Sequence, residues 1–84
     1  MTIKEQLKDY IARNLLFSDN GFKYDDDDSF LEEGIVDSIG VLELVGFIEE
    51  AFGVVVDDMD VIPDNFDTVN KLTAYVQSKQ NSNA

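Results

Sequence analysis

Eighty-four residues suffice for one small domain and not for two, and a chain this short buries a modest share of its surface, so a single core must hold it together. Hydrophobic residues make up 44 % of the chain and cysteine is absent, so that core forms without disulfides and nothing marks an oxidising compartment. A formal net charge of -12 argues against a nucleic-acid backbone as partner and favours basic proteins, with no lysine or arginine between positions 24 and 70.

The opening Met-Thr-Ile-Lys-Glu-Gln is polar where a signal peptide would be apolar, and no segment approaches membrane-spanning length; a cytoplasmic, monomeric protein is expected. Thr2 and Glu5 read as a capping box, after which Ile3, Leu7, Tyr10, Ile11 and Leu15 recur at helical spacing. Leu16 and Phe17 close this helix ahead of the turn cluster Ser18-Asp19-Asn20-Gly21. Residues 22–30 then form a long loop around four consecutive aspartates, Asp25 to Asp28, whose mutual repulsion disfavours regular structure. Calcium binding is the sharper reading of that run, but counted from Asp25 the sixth place is Phe30 and the twelfth is Val36, where an EF-hand needs glycine and glutamate. A solvated acidic loop fits better, with Phe30 and Leu31 tucking it against the core.

The most informative stretch is 32–52, Glu-Glu-Gly-Ile-Val-Asp-Ser-Ile-Gly-Val-Leu-Glu-Leu-Val-Gly-Phe-Ile-Glu-Glu-Ala-Phe. Gly34 gives a permissive backbone, Asp37 suits a helix N-cap, and Ser38 falls at the mouth of the helix. Free N–H groups and the positive end of the helix dipole make that a favourable place for a phosphate ester. Val41, Leu44, Val45, Ile48 and Phe52 follow core spacing. Ile39, Leu42 and Gly46 share an adjacent stripe with Glu43, Glu49 and Glu50, which makes a small apolar patch rimmed by carboxylates beside Ser38. Phe47 fits neither stripe.

Gly53 suits the end of this helix, and Val54-Val55-Val56, with no second strand to pair with, is expected to cross the core as an extended connection. Asp57-Asp58-Met59-Asp60 is another acidic turn, and Val61 to Phe66 fits a short helix with Pro63 in its first turn. Asp67 and Thr68 can cap a last helix with Val69, Leu72, Tyr75 and Val76 on its apolar face, leaving residues 80–84 as a disordered polar tail. The expected fold is all-α: a small four-helix bundle of three longer helices and a short one, with a long loop between the first and second, in a single domain at 1–79.

Intrinsic catalysis is not expected. The chain has no histidine or cysteine to activate Ser38 or to be activated itself, and Asp37 and Glu43 are explained by capping and by a solvated helix face. A histidine-containing metal site is excluded and an all-oxygen one lacks recognisable spacing.

Gly34, Asp37-Ser38-Ile39 and the apolar helix bearing Glu43, Glu49, Glu50 and Phe52 resemble the attachment motif of the acyl and peptidyl carrier proteins, and the similarity covers most of the chain. The resemblance implies a 4′-phosphopantetheine group, donated by coenzyme A through a phosphopantetheinyl transferase and esterified to Ser38, whose thiol holds an acyl or aminoacyl group as a thioester. It implies that Asp37 helps the transferase recognise Ser38. Along the stripe beside it, Ile39, Leu42 and Gly46 would offer contact area while Glu43, Glu49 and Glu50 steer basic partners. Those partners would be the transferase, an acyl- or aminoacyl-activating ligase, and downstream acyltransferases or synthases of a biosynthetic pathway. Fatty-acid carriers usually read Asp-Leu-Gly-Ala-Asp-Ser-Leu, whereas Gly34 lies four places before Ser38 and Ile39 replaces leucine. The motif is closer to free-standing carriers of special acyl groups or amino acids, D-alanyl carriers among them, though fatty acyl, polyketide and aminoacyl cargo all remain compatible with it. The competing class is an acidic interaction or calcium-buffering module in which Ser38 merely begins a helix.

Overall fold

Thr2 and Glu5 form the capping box: the Thr2 hydroxyl accepts the Glu5 N–H at 3.1 Å while the Glu5 carboxylate accepts the Thr2 N–H at 3.5 Å. From it the computed structural model, which describes residues 1–82, starts α1 (Ile3–Tyr10). The helix then widens without a break into a π-helical segment, Ile11–Leu15, in which the Leu16 N–H reaches back to the Ile11 carbonyl at 2.9 Å. Ser18 closes this end by donating to the Ala12 carbonyl at 2.7 Å, and Phe17 between them adopts a left-handed backbone with φ of 51°.

The long loop that follows is tied down by its own carboxylates. Asp26 receives Lys8 at 3.0 Å and Lys4 at 3.4 Å, both from α1, and the lysine contacts hold its carboxyl below the usual range. Asp27 accepts the Asn70 side-chain amide at 2.6 Å, and Asp28 accepts the Asp25 N–H at 3.0 Å. The loop ends against Asp67, whose carboxylate takes the Ser29 hydroxyl at 2.6 Å and the Leu31 N–H at 3.1 Å while its carbonyl takes the Phe30 N–H at 2.7 Å. Of the two residues expected to tuck under, Phe30 is buried and Leu31 is not: with the backbone pinned at both, their side chains point to opposite sides and Leu31 remains 75 % exposed.

Asp37 caps α2 (Ser38–Phe52) by accepting the Gly40 N–H at 2.8 Å, and Gly53 ends it in the left-handed conformation with φ of 67°. Leu44 and Ile48 are fully buried, and each contributes about 1.5–3 kcal/mol by leaving water. Val41, Val45 and Phe52 are only partly buried on the edges of that stripe. Phe47 packs α2 onto α1, stacking on Tyr10 at 4.2 Å between ring centroids and meeting Phe52 edge-on at 5.9 Å. Burial, reinforced by Glu43, raises the pKa of the Tyr10 hydroxyl, which donates to the Glu43 carbonyl at 3.4 Å.

Residues 54–56 are extended, with Val54 and Val56 buried and Val55 exposed; among the described residues there is no strand for them to pair with. A 3₁₀ turn, Asp58–Asp60, and the short α3 (Pro63–Phe66), with Pro63 in its first turn, lead into α4 (Val69–Ser82). Thr68 rather than Asp67 caps α4, accepting the Lys71 N–H at 3.0 Å. Val69, Leu72 and Val76 are fully buried, and Tyr75 turns its hydroxyl to Asp60 at 2.8 Å, where burial and that carboxylate push its pKa up to about 12. The bundle is thus the small all-α one expected, with three longer helices and a short one. The disordered tail expected at 80–84 needs correcting, because α4 runs through Ser82; no glycine or proline interrupts these polar residues, and each one added to a formed helix gains a hydrogen bond. Residues 83 and 84 lie outside the described residues.

Candidate functional site

The site is the N-terminal end of α2. Ser38 is its first residue and is exposed, directly after the Asp37 cap. The Asp37 carboxylate occupies the Gly40 N–H, and the N–H groups of Ser38 and Ile39 open outward from the first turn, without acceptors inside the helix. Gly40 has a steric role at this junction: a Cβ there would lie 2.9 Å from Val36 Cγ1 and 3.3 Å from Asp37 Oδ1. A bare Cα lets the helix end settle on Val36 with its cap in place.

Beside Ser38 lies a groove of about 190 Å³. Val41 forms its α2 wall, Leu31 and Asp67 its loop wall, and Ile62, Pro63 and Phe66 its far side. Its floor is apolar and Ser38 stands at its edge, so an elongated group esterified to that hydroxyl has both an exit to solvent and a surface to lie along. A phosphate diester at the same oxygen would meet the positive helix end, which suits the donors present.

Most of the residues expected to bind partners face solvent. Ile39 is 69 % and Leu42 70 % exposed, Glu43 and Glu50 are exposed, and Gly46 leaves open space where a side chain would be. Glu49 differs: its carboxylate folds back to accept the Val56 N–H at 2.9 Å, fastening the extended connection to α2. Helical spacing puts Glu49 at the margin of the exposed stripe, and it cannot register an unpaired amide seven residues downstream. Leu31 and Ile62, the latter 44 % exposed, were not singled out by spacing yet stand on the groove walls beside Ser38. Their only sequence signal is an apolar residue next to a second apolar residue that takes the core position, Phe30 for Leu31 and Val61 for Ile62.

The acidic loop offers no comparable site. Among the described residues no group of three or more carboxylates is placed to hold a metal ion, and Asp26 and Asp27 are engaged by lysine and asparagine. Nor is any described helix long and apolar enough to cross a membrane.

Residues 5–76 match the family model described as the phosphopantetheine attachment site. The chain is similar to the D-alanyl carrier protein of Lactococcus lactis subsp. lactis, 32 % identical over 81 residues that cover 96 % of this chain and 100 % of the relative. It is 32 % identical to that of Streptococcus uberis over 82 residues, covering 98 % and 100 % of the two chains. With the D-alanyl carrier protein of Bacillus velezensis the identity is 34 % over 77 residues, covering 87 % and 96 %.

Proposed function

The chain belongs to the phosphopantetheine-attachment family, whose members are non-catalytic carriers with covalently attached phosphopantetheine, and from that premise we propose that Ser38 is the attachment residue and that the cargo is an aminoacyl group, D-alanyl in particular. The observation that carries the attachment residue is the exposed Ser38 hydroxyl at the first position of a capped helix, on the lip of a groove. The cargo rests on the near full-length similarity to D-alanyl carrier proteins, which favours an aminoacyl role over fatty-acid or secondary-metabolite work.

In the attachment step the Ser38 oxygen attacks the phosphorus of coenzyme A that bears the pantetheine. The new Ser–O–P bond forms as the P–O bond to adenosine 3′,5′-bisphosphate breaks. With no histidine in this chain, the serine proton leaves to a base or water supplied by the transferase. When bound, the group supplies a thiol that holds the cargo as a thioester. This chain's residues do the rest: Asp37 fixes the helix end, Ile39 and Leu42 give contact area, and Glu43 and Glu50 draw in basic partners, namely the transferase, an aminoacyl-activating ligase and a downstream acyltransferase.

Incubation of the apo protein with coenzyme A, magnesium and a broad-specificity transferase should add about 340 Da, the mass of the prosthetic group, and Ser38→Ala should abolish the addition while leaving the fold intact. Modification that persists in Ser38→Ala sinks the assignment. A D-alanine-activating ligase with ATP should then load alanine onto the holo protein; loading of fatty acids with refusal of alanine sinks the cargo.

A further inference from the structure

The first turn of α2 is flanked by a second depression, of about 370 Å³, on the side facing the end of the π-helical segment. Phe17 and Ile39 stand on it, with Asp37 and Glu43 beside them, and their side chains are 83 % and 69 % exposed. Phe17 holds that place against its own backbone. Its φ of 51° is left-handed, which costs a residue with a Cβ about 1–2 kcal/mol, and this position after a helix end is one that glycine usually fills. No burial of the ring offsets that strain. Strained residues concentrate where a protein makes functional contact, and a rigid exposed aromatic is a frequent anchor of interfaces.

We propose that Phe17 and Ile39 form a second docking edge, gripped by the phosphopantetheinyl transferase through a basic surface with an apolar socket for the Phe17 ring. The proposal rests on Ser38 being the attachment residue. The transferase is the partner that fits, because its reacting atoms must reach the Ser38 oxygen itself, which requires it to close over both sides of the helix end. Enzymes that act on the thiol work at the far end of a long arm and can dock elsewhere. Charge points the same way: Asp37 and Glu43 line the depression, and no lysine or arginine occurs between positions 24 and 70.

The test measures initial rates of modification of the apo protein by a broad-specificity transferase with coenzyme A and magnesium. Phe17→Gly and Phe17→Asn both accept the left-handed backbone, so the helix end survives in each. Their kcat/KM should fall about fivefold or more, through KM, with melting temperatures equal to or above that of the unsubstituted protein. Val55→Ser removes a side chain that is 75 % exposed beyond the opposite end of α2 and should keep the full rate. Full rates in both Phe17 variants overturn the docking edge, as does a loss confined to kcat or an equal loss in Val55→Ser. An unsubstituted protein that takes up no group at all overturns the Ser38 reading instead.

Discussion

The aspartates that hold the long loop and the glutamates on the outer side of α2 carry the same charged group, and the fold uses them for different ends. Asp26 lies between two lysines of α1, Asp27 against an amide of α4, and Asp67 holds the loop through the Ser29 hydroxyl and the Leu31 N–H. Glu43 and Glu50 are exposed, and among the described residues neither is in an ion pair. A carboxylate with a fixed partner supports structure, whereas one facing water projects its field outward and is free to meet a visiting cation. What separates the two groups is which elements arrive opposite them, not anything in their own stretches of sequence.

The comparison can be broken most forcibly at Asp67. Asp67→Ala strips the loop of two hydrogen bonds to a charged acceptor and should cost about 2–3 kcal/mol in denaturant unfolding. A loss of a few tenths would show that the Asp67 side chain does little to hold the loop, leaving that to Phe30, Asp26 and Asp27. Charge reversal on the other side should leave stability unchanged and act on rate: Glu43→Lys with Glu50→Lys should slow transferase modification about tenfold at low salt, the difference closing towards 1 M salt as screening shortens to about 3 Å. Equal rates at low and high ionic strength would remove the steering role. The smallest effect belongs to Asp26→Asn, at about 0.5–1 kcal/mol for a partly exposed pair. Because the folded-state carboxyl titrates below its unfolded value near 3.9, its stabilisation is complete above that pH and is lost as pH falls through the depressed folded value. Urea unfolding of both proteins from about pH 7 down to pH 2 should show the gap shrinking to nothing; a gap independent of pH would assign it to packing.

Local signals in the sequence were enough to place the caps. Thr2 with Glu5, Asp37 and Gly53 each act within a few residues of themselves, and each sits where local chemistry requires. The apolar faces of α1 and α4 were legible for the same reason, as their period is a property of one helix. Phe47 was not, since the ring it stacks on, Tyr10, lies far back in the chain. The role of Asp67 was hidden likewise: as a residue before a helix it looks like a cap, while Thr68 does the capping and Asp67 reaches a loop 36 positions upstream. At the site, exposure of Ser38, Ile39 and Leu42 followed from helical spacing, but the inward turn of Glu49 and the emergence of Leu31 depend on pairings between segments that periodicity does not encode.

The stretch without lysine or arginine includes α2 and both walls of the groove, while the lysines and arginine of the chain lie on α1, the π-helical segment and α4, with Lys23 at the start of the long loop. The molecule is therefore an electric dipole whose negative pole carries Ser38. In the field of a cationic surface it experiences a torque as well as a pull, and it turns its serine forward before any atoms touch. Collisions need not sample every orientation, which shortens the search for a productive one at the distances over which salt leaves the field intact.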